Sequence, residues 1–172
     1  MDRALVPRRS KLSKAIGRVR QVWEYVVLRP TPADLAWVDT VLTPAERALY
    51  DGMSWHDQAH TAKVARKLAT KNPPLWALKA ALLHDVGKPR GYGLIWRVLV
   101  VLRPDREIPA EPRFTQPWRW ACQIYRWHGL YGAQMAAAAG VPEEGCTIIL
   151  EHSNKALADQ VPWLREFQWA DD

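Results

Sequence analysis

The sequence predicts an all-α protein of seven to nine helices with a short N-terminal annex. Three observations carry that reading. Helix starts are spelled out by cap residues, apolar residues follow at helical spacing, and no alternating strand pair can be found. The one strand-like word, "RVLVVL", has no partner elsewhere and is assigned to a helix. At 172 residues the chain suits a single domain with a small extension. Its 48% hydrophobic content and ten tryptophans indicate a packed globular core.

The elements follow in order. Residues 1–30 are a basic extension with an annex helix near 20–28, and residues 31–172 are the helical domain. "TPAD" at 31–34 and "TPAE" at 43–46 each give a threonine cap, proline at the first helical position and an acid at the third. "SWHD" at 54–57 repeats the cap and acid, with Asp57 as capping acid, and opens a helix through Thr70. A helix from about Pro74 runs to His84 or Asp85, where Gly87 and Pro89 stop it. "GLIWRVLVVL" is a further helix, and a proline-rich loop covers 104–117. Helices near 118–127, 130–139, 142–153 and 160–171 complete the chain, divided by Gly140, Pro142 and Pro162.

Charge is unevenly spread. Residues 1–20 hold seven cations against Asp2, a net of +6, which is the whole net charge of the protein. The basicity therefore belongs to a tail, which offers a contact for anionic surfaces or is simply solvated. The longest apolar stretch, "YGLIWRVLVVL", is interrupted by Arg97 and falls short of the roughly 20 residues of a membrane-spanning helix. The basic N-terminus has no apolar run behind it and does not read as a signal peptide. Two cysteines, Cys122 and Cys146, form neither a metal-ligand spacing nor a disulfide framework, which points to a cytoplasmic setting. No nucleic-acid-binding motif is present, although Trp118, Trp120 and Trp127 could stack a base or simply pack. The oligomeric state is not legible.

The stretch "ALLHDVGKPRG" sets His84 and Asp85 at the end of an almost wholly apolar helix. Buried charge is costly unless paired or bound to metal. Alone, the pair could be capping groups at a helix C-terminus. Yet His60, His128 and His152 also stand beside apolar residues, each on or next to a different helix, and Asp171 follows the apolar-aromatic "EFQWA". Four imidazoles and two carboxylates so placed make a metal-binding set. His56 lies four residues before His60 and shares its face, as a surface or outer residue of the site. Asp172 is either an orienter of the site or merely the last residue.

The ordered words "HTAKVA", "AALLHDVGK", "WHGLYGA", "IILEH" and "ADD" resemble the HD-domain metal-dependent phosphohydrolase superfamily over about 55–172. That resemblance implies a helical bundle around a buried metal centre. It implies His60, His84, Asp85 and Asp171 as ligands of a first divalent ion, with Asp85 able to bridge, and His128 and His152 as ligands of a second. Lys88 resembles the lysine that approaches substrate phosphate in several branches, and Asp85 and Lys88 become the catalytic pair. The nucleotidase branch tends to carry a glutamate in that region, so Lys88 argues against a simple deoxynucleotide monophosphatase. The surroundings of His128 and His152 are similar to the branch that hydrolyses diadenosine tetraphosphate symmetrically and to cyclic-dinucleotide phosphodiesterases, without the G-Y-P word of one group of the latter. Imidazole and carboxylate ligands without thiolate suit Fe, Mn, Co, Ni or Zn. The implied activity is hydrolysis of a small-molecule phosphate ester or anhydride, in the first instance a nucleotide. Lys63, Arg90 and Arg126 are further candidates for phosphate contact. The competing readings are a non-catalytic nucleotide-binding regulatory module and a di-iron oxygenase.

Overall fold

The computed structural model describes residues 28–103, 107–111 and 115–172. Most of the expected basic extension and annex helix, up to residue 27, lies outside the described residues. Among the described residues there are eight α-helices and no strand. They are α1 (Pro32–Val41), α2 (Pro44–Gly52), α3 (Trp55–Ala69), α4 (Leu75–Leu83), α5 (Leu94–Leu102), α6 (Pro117–Ala138), α7 (Glu143–Glu151) and α8 (Leu164–Asp171). One 3₁₀ turn, Lys155–Leu157, precedes α8.

The local signals act as expected at α1 and α2. Thr31 and Thr43 each accept from the backbone N–H of the acid three residues on, and Asp34 and Glu46 reach back to the cap backbone. At α3 the box is only half formed. Ser54 Oγ accepts from the Asp57 backbone, but the Asp57 carboxylate turns away, accepting from Ser54 Oγ and, through both oxygens at 2.8 Å, from Arg97 on α5.

Helix α4 is the centre of the main core. Ala77, Ala80, Ala81, Leu82 and Leu83 are fully buried, with α3 on one side and α7 on another. Its one charge, Lys79, is matched by the fully buried Glu46 of α2 at 2.7 Å. The cap acid of α2 thus doubles as the counter-ion of α4. A second, smaller cluster joins α5 to α6 around Tyr92, Val100, Ala121, Cys122 and Ile124. Trp96, Trp118, Trp120 and Trp127 pack half-buried against it.

Two boundaries differ from the sequence reading. The helices expected at 118–127 and 130–139 are one helix of 22 residues. Gly129 and Gly132 sit inside it because a Cβ at either position would press on α7: 2.9 Å from Leu150 O for Gly129, 3.2 Å from Ile149 Cγ2 for Gly132. Close packing repays the helix-propensity cost of glycine. The last helix starts at Leu164 rather than near 160. Pro162 is followed by Trp163 at φ 65°, which turns the chain into α8 while its ring packs on the main core.

Candidate metal centre

The six proposed ligands are delivered from five places in this framework, His84 and Asp85 sharing one turn. His60 lies mid-way along α3, and Asp171 closes α8. His84 caps α4, and the chain then turns through Asp85 to Lys88, whose N–H donates to Asp85 O at 2.9 Å. That turn lies flat against α6, since a Cβ on Gly87 would fall 2.0 Å from His128 O and 2.8 Å from Gly132 N. Gly87 therefore does more than end α4. It lets the His84–Asp85 turn touch the backbone beside His128, and Gly129 lets α6 touch the end of α7 beside His152.

The result is two trios. His60, His84 and Asp171 offer ligand atoms within 4.8 Å of one another, and so do Asp85, His128 and His152. Asp171 Oδ1 lies 3.0 Å from His60 Nε2 and 3.8 Å from His84 Nε2. Asp85 Oδ1 lies 3.6 Å from His84 Nε2 and 3.9 Å from His128 Nε2, while His128 and His152 present Nε2 atoms 3.1 Å apart. His84 thus faces both carboxylates and links the two groups. All six residues that the sequence singled out as ligands converge here.

Three of the four imidazoles are held in one tautomer. The Nδ1 atoms of His84, His128 and His152 donate to backbone carbonyls of Ala81, Tyr125 and Ile149 at 3.0, 3.0 and 2.8 Å. Their Nε2 atoms are left as lone pairs aimed inward, the arrangement that orients metal-ligating histidines. Burial pushes the His84 pKa down to about 4. Burial, with Lys88 nearby, takes His128 down to about 3. Both are neutral near pH 7, as ligation requires. Burial opposes ionisation of the acids, yet the His60 hydrogen bond holds Asp171 down to about 2. Burial likewise opposes ionisation of Asp85, but Lys88 and the surrounding histidines hold it well below the carboxylate range. For His60, burial is outweighed by Asp171 and Asp85, and its pKa rises.

Asp85 Oδ1 gives the sharpest test of fit. It is buried and makes no hydrogen bond. Lys88 Nζ is 2.6 Å away, but off the directions a hydrogen bond uses. An ionised, buried oxygen facing imidazole lone pairs is a donor set that suits a divalent cation. The residues present therefore fit the metals implied by their chemistry.

The family model of the HD domain matches residues 58–171, more than half of the chain. The chain belongs to the HD domain family. The family includes metal-dependent phosphohydrolases, and the all-helical fold with its two His/Asp groups agrees with membership. No curated protein and no solved structure is similar enough to count as a match.

The remaining candidates of this HD domain scatter. Lys88 is at the centre, mostly buried. Arg90 is committed elsewhere, donating to the carbonyls of Met53, at 3.2 Å, and Asp51. Lys63 is exposed on α3, and Arg126 is exposed on α6 over the Trp127 ring. His56 stacks parallel to His60 at 6.5 Å between centroids. Asp172 points to solvent near Lys155 rather than into the site. The tryptophans before His128 pack: Trp120 meets Tyr92 edge-on, and Trp127 Nε1 donates to Ile108 O at 2.9 Å.

One residue escaped the sequence reading. Phe167 is fully buried and sets its ring edge-on to His84 at 5.1 Å and to His152 at 6.4 Å, walling the centre from behind. It lies four residues before Asp171, on the same face of α8, and that spacing was its available signal. With Leu164 and Ala170 it buries α8, while Lys67 donates to Trp169 O at 2.6 Å. These contacts seat the end of α8 that carries Asp171.

Proposed function

We propose that this HD domain is a phosphohydrolase that cleaves a phosphate ester or anhydride, with a nucleotide as the substrate class. In this reading His60, His84 and Asp171 hold one divalent ion, Asp85, His128 and His152 hold a second, and Asp85 reaches towards both. Bound there, the ions would supply Lewis acidity and an acidified water. The protein's own part is to keep the imidazoles neutral and the carboxylates ionised. Lys88 is placed to turn from Asp85 to a substrate phosphoryl oxygen once that carboxylate is engaged, offsetting charge as it develops.

The observation that carries this reading is Asp85 Oδ1: buried, ionised, without a hydrogen bond, and with a lysine beside it at 2.6 Å. A purely structural ion pair has no need of three further imidazoles aimed at the same point.

The test is phosphate release from a panel of nucleotides by protein loaded with Mn²⁺, Fe²⁺ or Co²⁺. Turnover is expected, and Lys88→Gln should keep the metal while losing roughly 10²–10³-fold in kcat, the scale of removing one charge-stabilising donor. Binding of a nucleotide by thermal shift with no turnover under any metal would replace this reading by a regulatory one.

A further inference from the structure

The metal centre is closed on one side and open on the other. His84, Asp85 and His128 keep no more than 12% of their side chains exposed, whereas His60 and Asp171 keep 32% and 33%. The opening therefore lies where α3, carrying His60, meets α8, carrying Asp171. Beyond His60 the same side of α3 presents Lys63 and Lys67, with Lys71 just past the helix end. Steps of three, four and four residues set all four side chains on one stripe. At 1.5 Å per residue it runs about 16 Å from His60. Lys63 and Lys71 are exposed, and Lys67 is half-buried.

We propose that Lys63, Lys67 and Lys71 form a subsite for phosphates remote from the one cleaved, so that the substrate of this centre carries several phosphates in a chain. The charge of the row is not neutralised. Arg66 meets Asp34, Lys79 meets Glu46 and Arg97 meets Asp57, but no carboxylate of the described residues pairs with any of these three lysines. Lys67 and Lys71 instead both set Nζ over the half-exposed ring of Trp169, at 4.7 and 4.8 Å, and Lys67 also donates to Trp169 O. An exposed ring holds a cation by only about 0.5–1 kcal/mol and leaves its charge intact. Two ammonium groups gathered on one ring repel each other, and an anion bound there would offset that repulsion. Successive lysines rise about 6 Å along the helix, a row that suits a linear polyanion. A single phosphate held at the centre leaves Lys67 and Lys71 unused. Continuity with the open edge at His60 selects a phosphate chain over an acidic peptide, a choice that rests on the phosphohydrolase reading. The binding of the chain does not depend on turnover.

The experiment is calorimetric titration of the full chain with orthophosphate, inorganic tripolyphosphate and a short 5′-phosphorylated single-stranded oligonucleotide. Chelator-treated protein is used, because polyphosphate itself binds metal ions. Wild type is expected to bind one of the two chains at least about tenfold more tightly than orthophosphate. Lys63→Gln/Lys71→Gln removes two side chains that make no hydrogen bond among the described residues, and should weaken the chain by about tenfold. Lys11→Gln/Lys14→Gln, which removes the same charge from the basic tail, should keep the wild-type affinity. The tighter of the two chains identifies the source, polyphosphate or nucleic acid. No preference for a chain over orthophosphate, a Lys63/Lys71 variant that binds as wild type does, or an equal loss in the tail variant overturns the subsite. A protein that binds the chain as described but releases phosphate under no metal keeps the subsite and loses the catalytic reading.

Discussion

Helices α4 and α5 start from nearly the same material. Each has nine residues, each is aliphatic but for tryptophan and one cation, and in each that cation meets a buried carboxylate: Lys79 with Glu46, Arg97 with Asp57. Yet α4 is enclosed on several sides, while α5 leaves a full stripe in the open. The difference lies in the neighbours. Helices α3 and α7 close over α4, whereas α5 packs mainly on α6 over a small cluster and reaches α3 through the Arg97–Asp57 pair. Hydrophobicity says that a face needs covering. It does not say what covers it. The enclosed helix ends in His84 and Asp85, the candidate metal-ligand pair, and the open one ends as a surface.

Substitutions can sharpen that contrast. The largest effect is expected at Glu46→Ala, which strands Lys79 with only 11% of its side chain exposed. Leaving a buried charge unpaired costs about 3–5 kcal/mol, to be read from denaturant unfolding. Leu83→Ala, deep in α4, should cost about 2–5 kcal/mol by the same measurement. Asp57→Asn is milder, at about 1–3 kcal/mol, because Arg97 is partly open to solvent and can be hydrated. Its signature is local: amide exchange should quicken across α5 more than across α4. Leu102→Ala, on the open stripe, should fall within about 0.5 kcal/mol of wild type. If Leu102→Ala cost as much as Leu83→Ala, the outer face of α5 would be covered in solution and the contrast would collapse.

Acid separates the two helices in another way, since only the end of α4 carries titrating groups of the centre. His84 and His128 have pKa values near 4 and 3 against an ordinary 6.5. Their neutral forms are favoured by folding, so their contribution is full above pH 6.5 and is lost as pH falls through 4 and 3. Asp171, depressed from 3.8 to about 2, adds a loss below pH 4. His60, raised, acts in the opposite sense, contributing below pH 6.5 and fading as pH rises through its own value. His60 adds a constant amount below pH 6.5, so His84 and His128 decide the trend, and the Tm of chelator-treated protein should drop between about pH 6.5 and 4. A flat profile there would mean that the imidazoles are not buried as described.

How much of this was legible from sequence follows the range of the forces. The capping boxes at Thr31 and Thr43 need only residues three apart, and they were read correctly. The six candidate ligands were legible from residue type and order, because imidazoles and carboxylates in apolar words are costly without a purpose. The unbroken helix through Gly129 was not legible, because the contact with the carbonyls of α7 that keeps a glycine there depends on a partner twenty residues away. Asp57 was read as a capping acid, which is half its role, since Arg97 is forty residues on. Phe167 carries no polar group to draw attention, and its place against two imidazoles exists only once α8 is docked.

The centre itself is tested most directly by elemental analysis of protein purified without chelators, beside Asp85→Ala. The account predicts divalent transition metal approaching two ions per chain, one for each trio, with a marked fall in the variant whose folded signal is unchanged. Wild-type protein that stays free of metal after incubation with Mn²⁺, Fe²⁺ and Zn²⁺, or a variant that retains the full complement, would contradict it.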